Sequence, residues 1–255
     1  MIRKEKVLAK YQLKPLYSGL TIHFQPIFSS QDGNIFGYEA LTRHTHKSIN
    51  VKEFFLKAKK DGTIHLLDMI CRKNAIKKAS EQGIDSYLFI NICPETLCYK
   101  EHIIGLTDTF AEECGFPKEK IVLEITEQSA IENYELFLKA VNYYRIRGYK
   151  IAIDDFGAGF GGPKLLSMIE PDIVKIDRFF INNMGDYFSK AFIEFISSVC
   201  KRFNIVVVAE GIENSQQLKE VINLGVDLLQ GFYLGKPQEK IKKNEKFDVN
   251  GTIRC

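Results

Sequence analysis

The sequence lacks a Cys-x-x-Cys pair, a long apolar run and an excess of charge of either sign, and each absence excludes a class of protein. No stretch approaches the ~18 apolar residues of a membrane span, and the basic N-terminal segment lacks the apolar centre of a signal peptide. The 35 basic and 32 acidic side chains leave a net charge of only +3, which argues against binding to nucleic acid polymers. We therefore expect a soluble, cytoplasmic protein without membrane insertion.

The cysteines and histidines do not form a recognisable metal motif. The six cysteines lie in a chain of 255 residues, which is too long to need disulfide cross-links, so reduced thiols are expected. Cys93 and Cys98 have the spacing of a zinc half-site, but no second half-site follows. His44 and His46 in "RHTH" are interpreted as loop residues, because no acid or cysteine follows at ligand spacing.

Eight short aliphatic runs alternate with helical patterns along the chain. Because these runs have few polar interruptions, they are typical of strands buried on both faces. Glycines at 83 and 148 and basic residues at 201 and 202 mark the C-terminal ends of three predicted helices. The predicted strands are "TIHFQPIF" from Thr21, "IFGYEAL" from Ile35, "YLFINI" from Tyr87, "KIVLEIT" from Lys120, "KIAIDD" from Lys150, "DIVKID" from Asp172, "IVVVAE" from Ile205 and "DLLQGF" from Asp227.

This alternation predicts an α/β fold, a modified (β/α)8 TIM-type barrel, with an open doubly wound sheet as the alternative. Only "SSQDGN" joins the first two strands, so one of them is expected to run antiparallel to its neighbours. No linker divides the chain. We assign residues 1–20 to an N-terminal extension, 21–240 to the barrel and 241–255 to a lysine-rich C-terminal tail.

Polar side chains recur within the predicted strands or at their C-terminal ends. In a (β/α)8 barrel these ends converge on the face where active sites lie. Buried carboxylates cost on the order of several kcal/mol each unless they are paired or bind metal, and a ring of them would be strongly repulsive without divalent cations. The polar residues are Glu39, Asn91, Glu124, Asp154, Asp155, Lys175, Asp177, Glu210 and Gln230.

Carboxylate and amide oxygens are hard ligands suited to Mg²⁺ or Mn²⁺. The adjacent Asp154 and Asp155 could serve two ions about 3.5–4 Å apart, a spacing used for in-line attack on phosphorus. A single aspartate at a strand end is more often a helix cap than a ligand, and Asp155 alone is open to that interpretation. The recurrence of polar groups on strand after strand favours a metal site.

The segments "YEALTR", "DDFGAG" and "AEGIE", taken together, resemble the EAL domain, a bacterial family of cyclic-di-GMP-specific phosphodiesterases. The resemblance extends from "FQPI" at Phe24 to "GKPQ" at Gly235, with several motifs in the family's order. It implies hydrolysis of cyclic-di-GMP to the linear dinucleotide 5′-pGpG, with two divalent ions, Mg²⁺ or Mn²⁺, as cofactors. We also expect a homodimer, in which the phenylalanines of "DRFFINNMGDYFSKAFIEF" lie in the core or on the dimer face.

The resemblance also implies roles for individual residues. Lys175 resembles the lysine that orients the attacking water, and Glu210 is a candidate general base as well as a metal ligand. The implied metal ligands are Glu39, Asn91, Glu124 and Asp154 for one ion, and Asp154, Asp155 and Glu210 for the other. The implied substrate-binding residues are Gln25, Leu41, Arg43, Asp177 and Gln230, and the implied loop supports are Glu127 and Glu213.

The sequence departs from the family pattern in the loop after Asp155. Gly161 and Gly162 stand where the family usually has a serine pair, which removes two hydroxyl groups and loosens the backbone. This departure bears on the rate and on control by the loop more than on the metal ligands. No segment that resembles a diguanylate cyclase or a sensor precedes the barrel motifs, so regulation within the chain is expected only through residues 1–20.

Two other functions are compatible with these residues. A family member that has lost activity would act as a cyclic-di-GMP receptor or as a protein-interaction module, and the altered loop is the feature that favours it. A barrel metallohydrolase could also act on a different phosphoester.

Overall fold

Eight strands close into a barrel in the order in which they occur along the chain. The computed structural model describes residues 19–46, 49–97, 105–127, 131, 133–159, 161–242, 246–247 and 253–254. The barrel strands are β1 (Leu20–Ser29), β2 (Ile35–His44), β3 (Tyr87–Asn91), β4 (Ile121–Thr126), β5 (Lys150–Phe156), β6 (Ile173–Ile176), β7 (Val206–Ala209) and β8 (Leu228–Leu229). The predicted strands and the closed barrel are confirmed, and the open sheet is excluded.

The strand that runs against the others is β1. It pairs antiparallel with β2 on one side and with β8 on the other, whereas all other neighbouring strands of the barrel pair in parallel. The prediction of one antiparallel strand near the N-terminus is therefore confirmed. Because β1 is reversed, its first residues lie at the end of the barrel where the parallel strands finish, which we call the mouth.

Helices cover the outside of the barrel. Asn50, Asn133 and Asn214 each accept a hydrogen bond from a backbone N–H in the first turn of the helix that follows, which fixes where three of the helices begin. The helices are α1 (Val51–Lys60), α2 (Ile64–Glu81), α3 (Pro94–Leu97), α4 (Leu106–Cys114), α5 (Tyr134–Ile146), α6 (Gly162–Ile169), α7 (Arg178–Asn182), α8 (Tyr187–Arg202) and α9 (Ser215–Asn223).

Part of the C-terminal segment packs onto the barrel. β9 (Lys246–Phe247) pairs with β10 (Ile253–Arg254), and Phe247 is buried edge-to-face against Phe28, with ring centroids 5.7 Å apart. Residues 1–18 of the predicted N-terminal extension lie outside the described residues. None of the helices in the described part of the chain combines the length and the hydropathy needed to cross a bilayer.

Candidate metal centre at the barrel mouth

The alternation of side chains along each strand builds the site. A layer of buried apolar residues fills the barrel interior, and in seven strands a polar residue lies two positions from the apolar one. Since side chains two positions apart point to the same face of a strand, the polar residues form the next layer toward the mouth. The pairs are Ile27 and Gln25, Phe89 and Asn91, Val122 and Glu124, Ala152 and Asp154, Ile173 and Lys175, Val208 and Glu210, and Leu228 and Gln230.

Lys175 lies at the centre of this polar layer. Its side chain is 1% exposed, and its ammonium group contacts carboxylates from four strands or strand ends. Such a convergence is possible because the strands of a closed barrel surround a common interior, so side chains from non-adjacent strands can meet there. The distances from Lys175 Nζ are 2.5 Å to Glu210 Oε1, 2.6 Å to Glu124 Oε1, 2.9 Å to Asp154 Oδ1 and 3.5 Å to Glu39 Oε2.

Burial and crowding shift the proton affinities of these groups. Burial raises the pKa of Glu124 and of Glu210 well above the usual value, and neighbouring carboxylates add to the effect while Lys175 opposes it. Burial alone would lower the pKa of Lys175, but the surrounding carboxylates outweigh it and raise that pKa well above its usual value. Lys175 is therefore held as a cation.

Two amides tie the carboxylates together. Gln230 donates to Glu39 Oε2 at 2.6 Å. Asn91 Nδ2 lies 3.4 Å from Glu39 Oε1 and 3.3 Å from Glu124 Oε2, at the long end of hydrogen-bond distance. Rotation of the Asn91 amide by half a turn would present its oxygen to the same space, so the residue fits the role of an oxygen ligand.

The end of β5 is irregular, and this irregularity separates two adjacent carboxylates. The pairing of β5 with β6 shifts register between Ile153 and Phe156, and Asp155 adopts a left-handed conformation with a φ of 54°. A non-glycine residue in this conformation costs on the order of 1 kcal/mol and is found at functional sites. Burial first, then Asp154 and Asp177, raise the pKa of Asp155 to about 6.

The donor set fits divalent cations. Ligand oxygens of Asp154, Asp155 and Glu210 lie within 4.8 Å of one another. Glu124 Oε1 and Asp154 Oδ1 are buried, and although both lie close to Lys175, no described residue gives either oxygen a hydrogen bond of acceptable angle. One ammonium group does not balance five neighbouring carboxylates, so hard cations with oxygen ligands match both the charge and the unsatisfied atoms.

Glu127, at the end of β4, holds the loop after Asp155. Its Oε2 accepts from the Gly157 N–H at 2.6 Å, and its Oε1 accepts from the N–H groups of Gly161 at 3.1 Å and Gly162 at 2.7 Å. Glu127 is 7% exposed, so these charge-assisted hydrogen bonds are shielded from water. The predicted loop support therefore has direct contacts to the loop in this structure.

A cavity of about 920 Å³ opens beside the acidic cluster. The predicted substrate residues Leu41 and Arg43 line it together with Asn91, and burial lowers the pKa of Arg43. Two further lining residues, His23 and Cys93, were missed by the sequence reasoning. The position of His23 could have been predicted from the reversal of β1, because this reversal places the residues before Gln25 nearer the mouth.

The remaining predicted site residues, Gln25, Asp177 and Glu213, do not line this cavity. Gln25 is buried and donates to the Gly235 carbonyl at 3.0 Å. Asp177 accepts from the Phe179 N–H at 2.8 Å and so caps α7, while it also interacts with Asp155. Glu213 has an exposed side chain and no described contact to the acidic cluster.

The alternative metal motifs gain no support in the described residues. The rings of His44 and His46 stack on each other with centroids 5.7 Å apart, and His44 also stacks on Phe54. No three acid, histidine or cysteine ligand atoms come together around them in the described part of the chain. Cys98 of the considered zinc half-site lies outside the described residues.

The fold and the site define a mixed (β/α)8-type barrel with a cluster of acids around a buried lysine at its mouth. Residues 16–237 match the model of the EAL domain, and the chain belongs to the EAL domain family.

Solved structures agree over nearly the whole barrel. The c-di-GMP-bound form of a standalone versatile EAL protein from Vibrio cholerae O395 is 33% identical, with a TM-score of 0.80 over 88% of this chain and 94% of that one. The manganese and c-di-GMP complex of BlrP1 from Klebsiella pneumoniae is 25% identical, with a TM-score of 0.80 over 92% of this chain and 67% of that one. These relatives bind the nucleotide, and one of them was solved with a divalent metal.

Curated proteins give the same family relationship. The cyclic di-GMP phosphodiesterase PdeA of Borreliella burgdorferi is 29% identical over 247 residues, which is 93% of this chain and 37% of that protein. The chain spans about a third of the length of the first curated relatives that it matches.

Proposed function

We propose that this chain is a metal-dependent phosphodiesterase that hydrolyses cyclic-di-GMP to the linear dinucleotide 5′-pGpG. The observation that carries this proposal is the convergence of a complete oxygen-ligand set on one mouth, around a buried lysine. Because no acid of that set is missing, the chain retains what a two-metal phosphodiesterase requires.

The residues divide between two cation positions. Asp154, Asp155 and Glu210 would hold one ion, and Asp154 would share the other with the set Glu39, Asn91 and Glu124. When bound, Mg²⁺ or Mn²⁺ would supply charge neutralisation for the phosphodiester and activation of a water molecule.

The chain's own residues would orient and deprotonate that water. Lys175 is rigidly held among the carboxylates, so its ammonium group would fix the water in line with the leaving oxygen and stabilise developing negative charge. Glu210 Oε1 lies 2.5 Å from Lys175 Nζ, so its carboxylate would lie beside that water and would accept its proton. The new P–O bond forms as the bond to the 3′ oxygen breaks, which leaves the phosphate on the 5′ side.

The cavity beside the cluster would hold one guanylate half of the substrate. Its volume of about 920 Å³ lies within the usual range for a ligand site. Arg43 at its edge gives a cation for a phosphate oxygen, and Leu41 gives an apolar surface. Gln230 and Gln25, which lie on neighbouring strands in the polar layer, would form the floor of the site.

A homodimer in the cytoplasm is part of the proposal. Exposed aromatic side chains gather on α7 and α8, where Phe179 is 59%, Tyr187 86%, Phe188 67% and Phe195 62% exposed. A surface of this kind is typical of protein interfaces. Cys71, Cys93, Cys114 and Cys200 are free thiols, which suits a reducing compartment.

Turnover of cyclic-di-GMP in the presence of Mn²⁺ tests the metal assignment when wild type is compared with Glu39→Gln. The variant has nearly the same shape but one charge fewer, and loss of a metal ligand should lower turnover by about 100-fold or more. Glu220→Gln is the matched control, because Glu220 pairs with Lys190 on the surface and should leave turnover unchanged. Near-normal turnover by Glu39→Gln would contradict the ligand assignment.

A cyclic-di-GMP receptor without turnover is the second candidate function, favoured by Gly161 and Gly162 in the loop that Glu127 holds. Tight binding of the nucleotide by wild type with no product in the presence of Mn²⁺ would favour this function. Faster turnover of an aryl phosphodiester than of the cyclic dinucleotide would instead favour a hydrolase with a different substrate.

A further inference from the structure

Outside the acidic cluster, the described part of the chain contains one fully buried ion pair, formed by Asp68 and Arg72 on α2. Asp68 Oδ2 lies 2.7 Å from Arg72 NH2, with the two side chains 3% and 0% exposed. Arg72 also donates to Thr107 Oγ1 at 2.5 Å and to the Tyr144 hydroxyl at 3.2 Å, so it links α2 to α4 and α5.

The second oxygen of Asp68 reaches the loop that leaves the acidic site. Asp68 Oδ1 accepts from the backbone N–H of Cys93 at 2.9 Å. Cys93 lies between the end of β3 at Asn91 and the start of α3 at Pro94. Its N–H therefore has neither a strand partner nor a helical one, and the carboxylate satisfies it.

A contribution to the stability of the fold does not by itself explain why Asp68 and Arg72 form a buried ion pair. Removing two charges from water costs about as much as their attraction returns, and apolar replacements of buried ion pairs are often neutral or stabilising. An apolar pair, however, could not accept the Cys93 N–H. The distinctive contribution of Asp68 is thus a charge-assisted hydrogen bond to the loop.

We propose that Asp68, held by Arg72, is a positioning residue that sets the Asn91 amide against Glu39 and Glu124. The backbone that follows Asn91 is fixed from two sides, by the hydrogen bond from Ile92 N–H to the Glu124 carbonyl at 2.9 Å and by Asp68 at Cys93. Removing the second anchor lets Asn91 move. This proposal rests on the proposed function, in that Asn91 would be a metal ligand.

The test is the affinity of the protein for Mn²⁺, followed by the electron paramagnetic resonance signal of the free ion. The double variant Asp68→Ala with Arg72→Met removes both charges together, so no buried charge is left unpaired and the fold should survive. Loss of a residue that orients a metal ligand typically weakens binding by about 10-fold to 100-fold, and we expect that loss here. A folded double variant with an affinity within about two-fold of wild type would overturn the proposal.

Asp227→Asn is the matched control. Asp227 accepts from the Val207 N–H at the same distance of 2.9 Å, but at the opposite end of the barrel, where β7 begins. It should not alter Mn²⁺ affinity. An equal loss of affinity in this control would mean that general loosening of the barrel, rather than positioning, explains the effect, and would overturn the proposal.

If the double variant does not fold, Arg72→Lys replaces it. Lysine keeps a cation beside Asp68 but loses the forked contact to Thr107 and Tyr144. Mn²⁺ affinity at least about two-fold below that of wild type supports the proposal, and unchanged affinity overturns it. Mn²⁺ titration needs no turnover, so a wild type that binds the ion without hydrolysing cyclic-di-GMP contradicts the proposed function alone. A wild type that binds no Mn²⁺ contradicts both.

Discussion

At the scale of single residues, Lys175 bears on both the stability of the acidic cluster and its proposed chemistry. Its ammonium group offsets part of the repulsion among Glu39, Glu124, Asp154 and Glu210, and under the proposed function the same ammonium group would orient the attacking water. The same four carboxylates need a second source of positive charge when the ammonium is removed. The stability of the site and its chemistry are therefore separable by experiment.

The variant Lys175→Met should distinguish the effect of Lys175 on stability from its effect on turnover. Without divalent metal, uncompensated buried carboxylates should lower the free energy of unfolding by about 3–5 kcal/mol, because removing one partner of a buried ion pair leaves charge without a partner. Mn²⁺ should restore much of this loss but not turnover, which we expect to fall about 100-fold or more. Thermal unfolding with and without Mn²⁺, together with a turnover assay, measures both quantities.

Lys190→Met is the control for this comparison. Lys190 pairs with Glu220 at 2.7 Å with its side chain 43% exposed, so its loss should cost at most about 1 kcal/mol and leave turnover intact. Full activity in Lys175→Met would show that the buried lysine has only a structural role.

At the scale of elements, the β5–α6 connection joins the acidic cluster to the outside of the barrel. The two glycines in this connection differ in their surroundings. A side chain at Gly161 would meet nothing within 4 Å, whereas one at Gly162 would lie 3.0 Å from the Phe156 ring and 3.1 Å from Glu127. The two positions should therefore respond differently to serine.

Gly161→Ser should stabilise the protein by up to about 1 kcal/mol, because serine narrows the unfolded ensemble and its hydroxyl can cap α6. The backbone at Gly161, with a φ of −115°, accepts a side chain, and turnover should not fall. Gly162→Ser should instead displace Glu127 and reduce turnover, while Mn²⁺ affinity is kept. Chemical denaturation measures the stability of both variants, and a turnover assay measures their activity. Equal stability and equal turnover in the two variants would contradict this prediction.

Much at this scale could be predicted from the sequence, because strands buried on both faces leave a strong pattern. The run "DIVKID" already contains Ile173 and Lys175 two positions apart, and a barrel places them in adjacent layers. The register shift at Asp154 and Asp155 left no such pattern, since it depends on how β5 meets β6. The anchor from Asp68 to Cys93 joins positions 25 residues apart, and nothing local in the sequence reports it.

Among the individual site residues, some positions could be predicted from the strand pattern and some contacts could not. Glu124, Asp154 and Lys175 were predicted from strand position, and the structure brings them together. Asp177 was predicted as a substrate residue on resemblance, and the structure adds a capping bond to α7 that the strand pattern could not reveal. Its role toward substrate stays a prediction.

At the scale of the whole molecule, metal binding should stabilise the fold. The acids that would hold the ions come from four different strands or strand ends, so an ion joins distant parts of the chain. Binding to the folded state alone at about 100 times the dissociation constant contributes roughly 2.7 kcal/mol.

Saturating Mn²⁺ should therefore raise the Tm by about 5–10 °C, given roughly 2–4 °C per kcal/mol for a domain of this size. A chelator should reverse the shift, and Asp154→Asn should abolish most of it, because Asp154 is assigned to both proposed cation positions. Scanning calorimetry measures the shift. An unchanged Tm in the wild type would contradict the expected stabilisation by metal. A shift of equal size in Asp154→Asn would place Mn²⁺ outside the acidic cluster.

Product analysis by chromatography after incubation of the wild-type chain with cyclic-di-GMP and Mn²⁺ tests the proposed reaction most directly. We predict conversion to 5′-pGpG that stops when the metal is chelated and is lost in Glu39→Gln. Cyclic-di-GMP that remains intact over hours with Mn²⁺ present, in a protein that is folded, would contradict the assignment of this barrel as a phosphodiesterase.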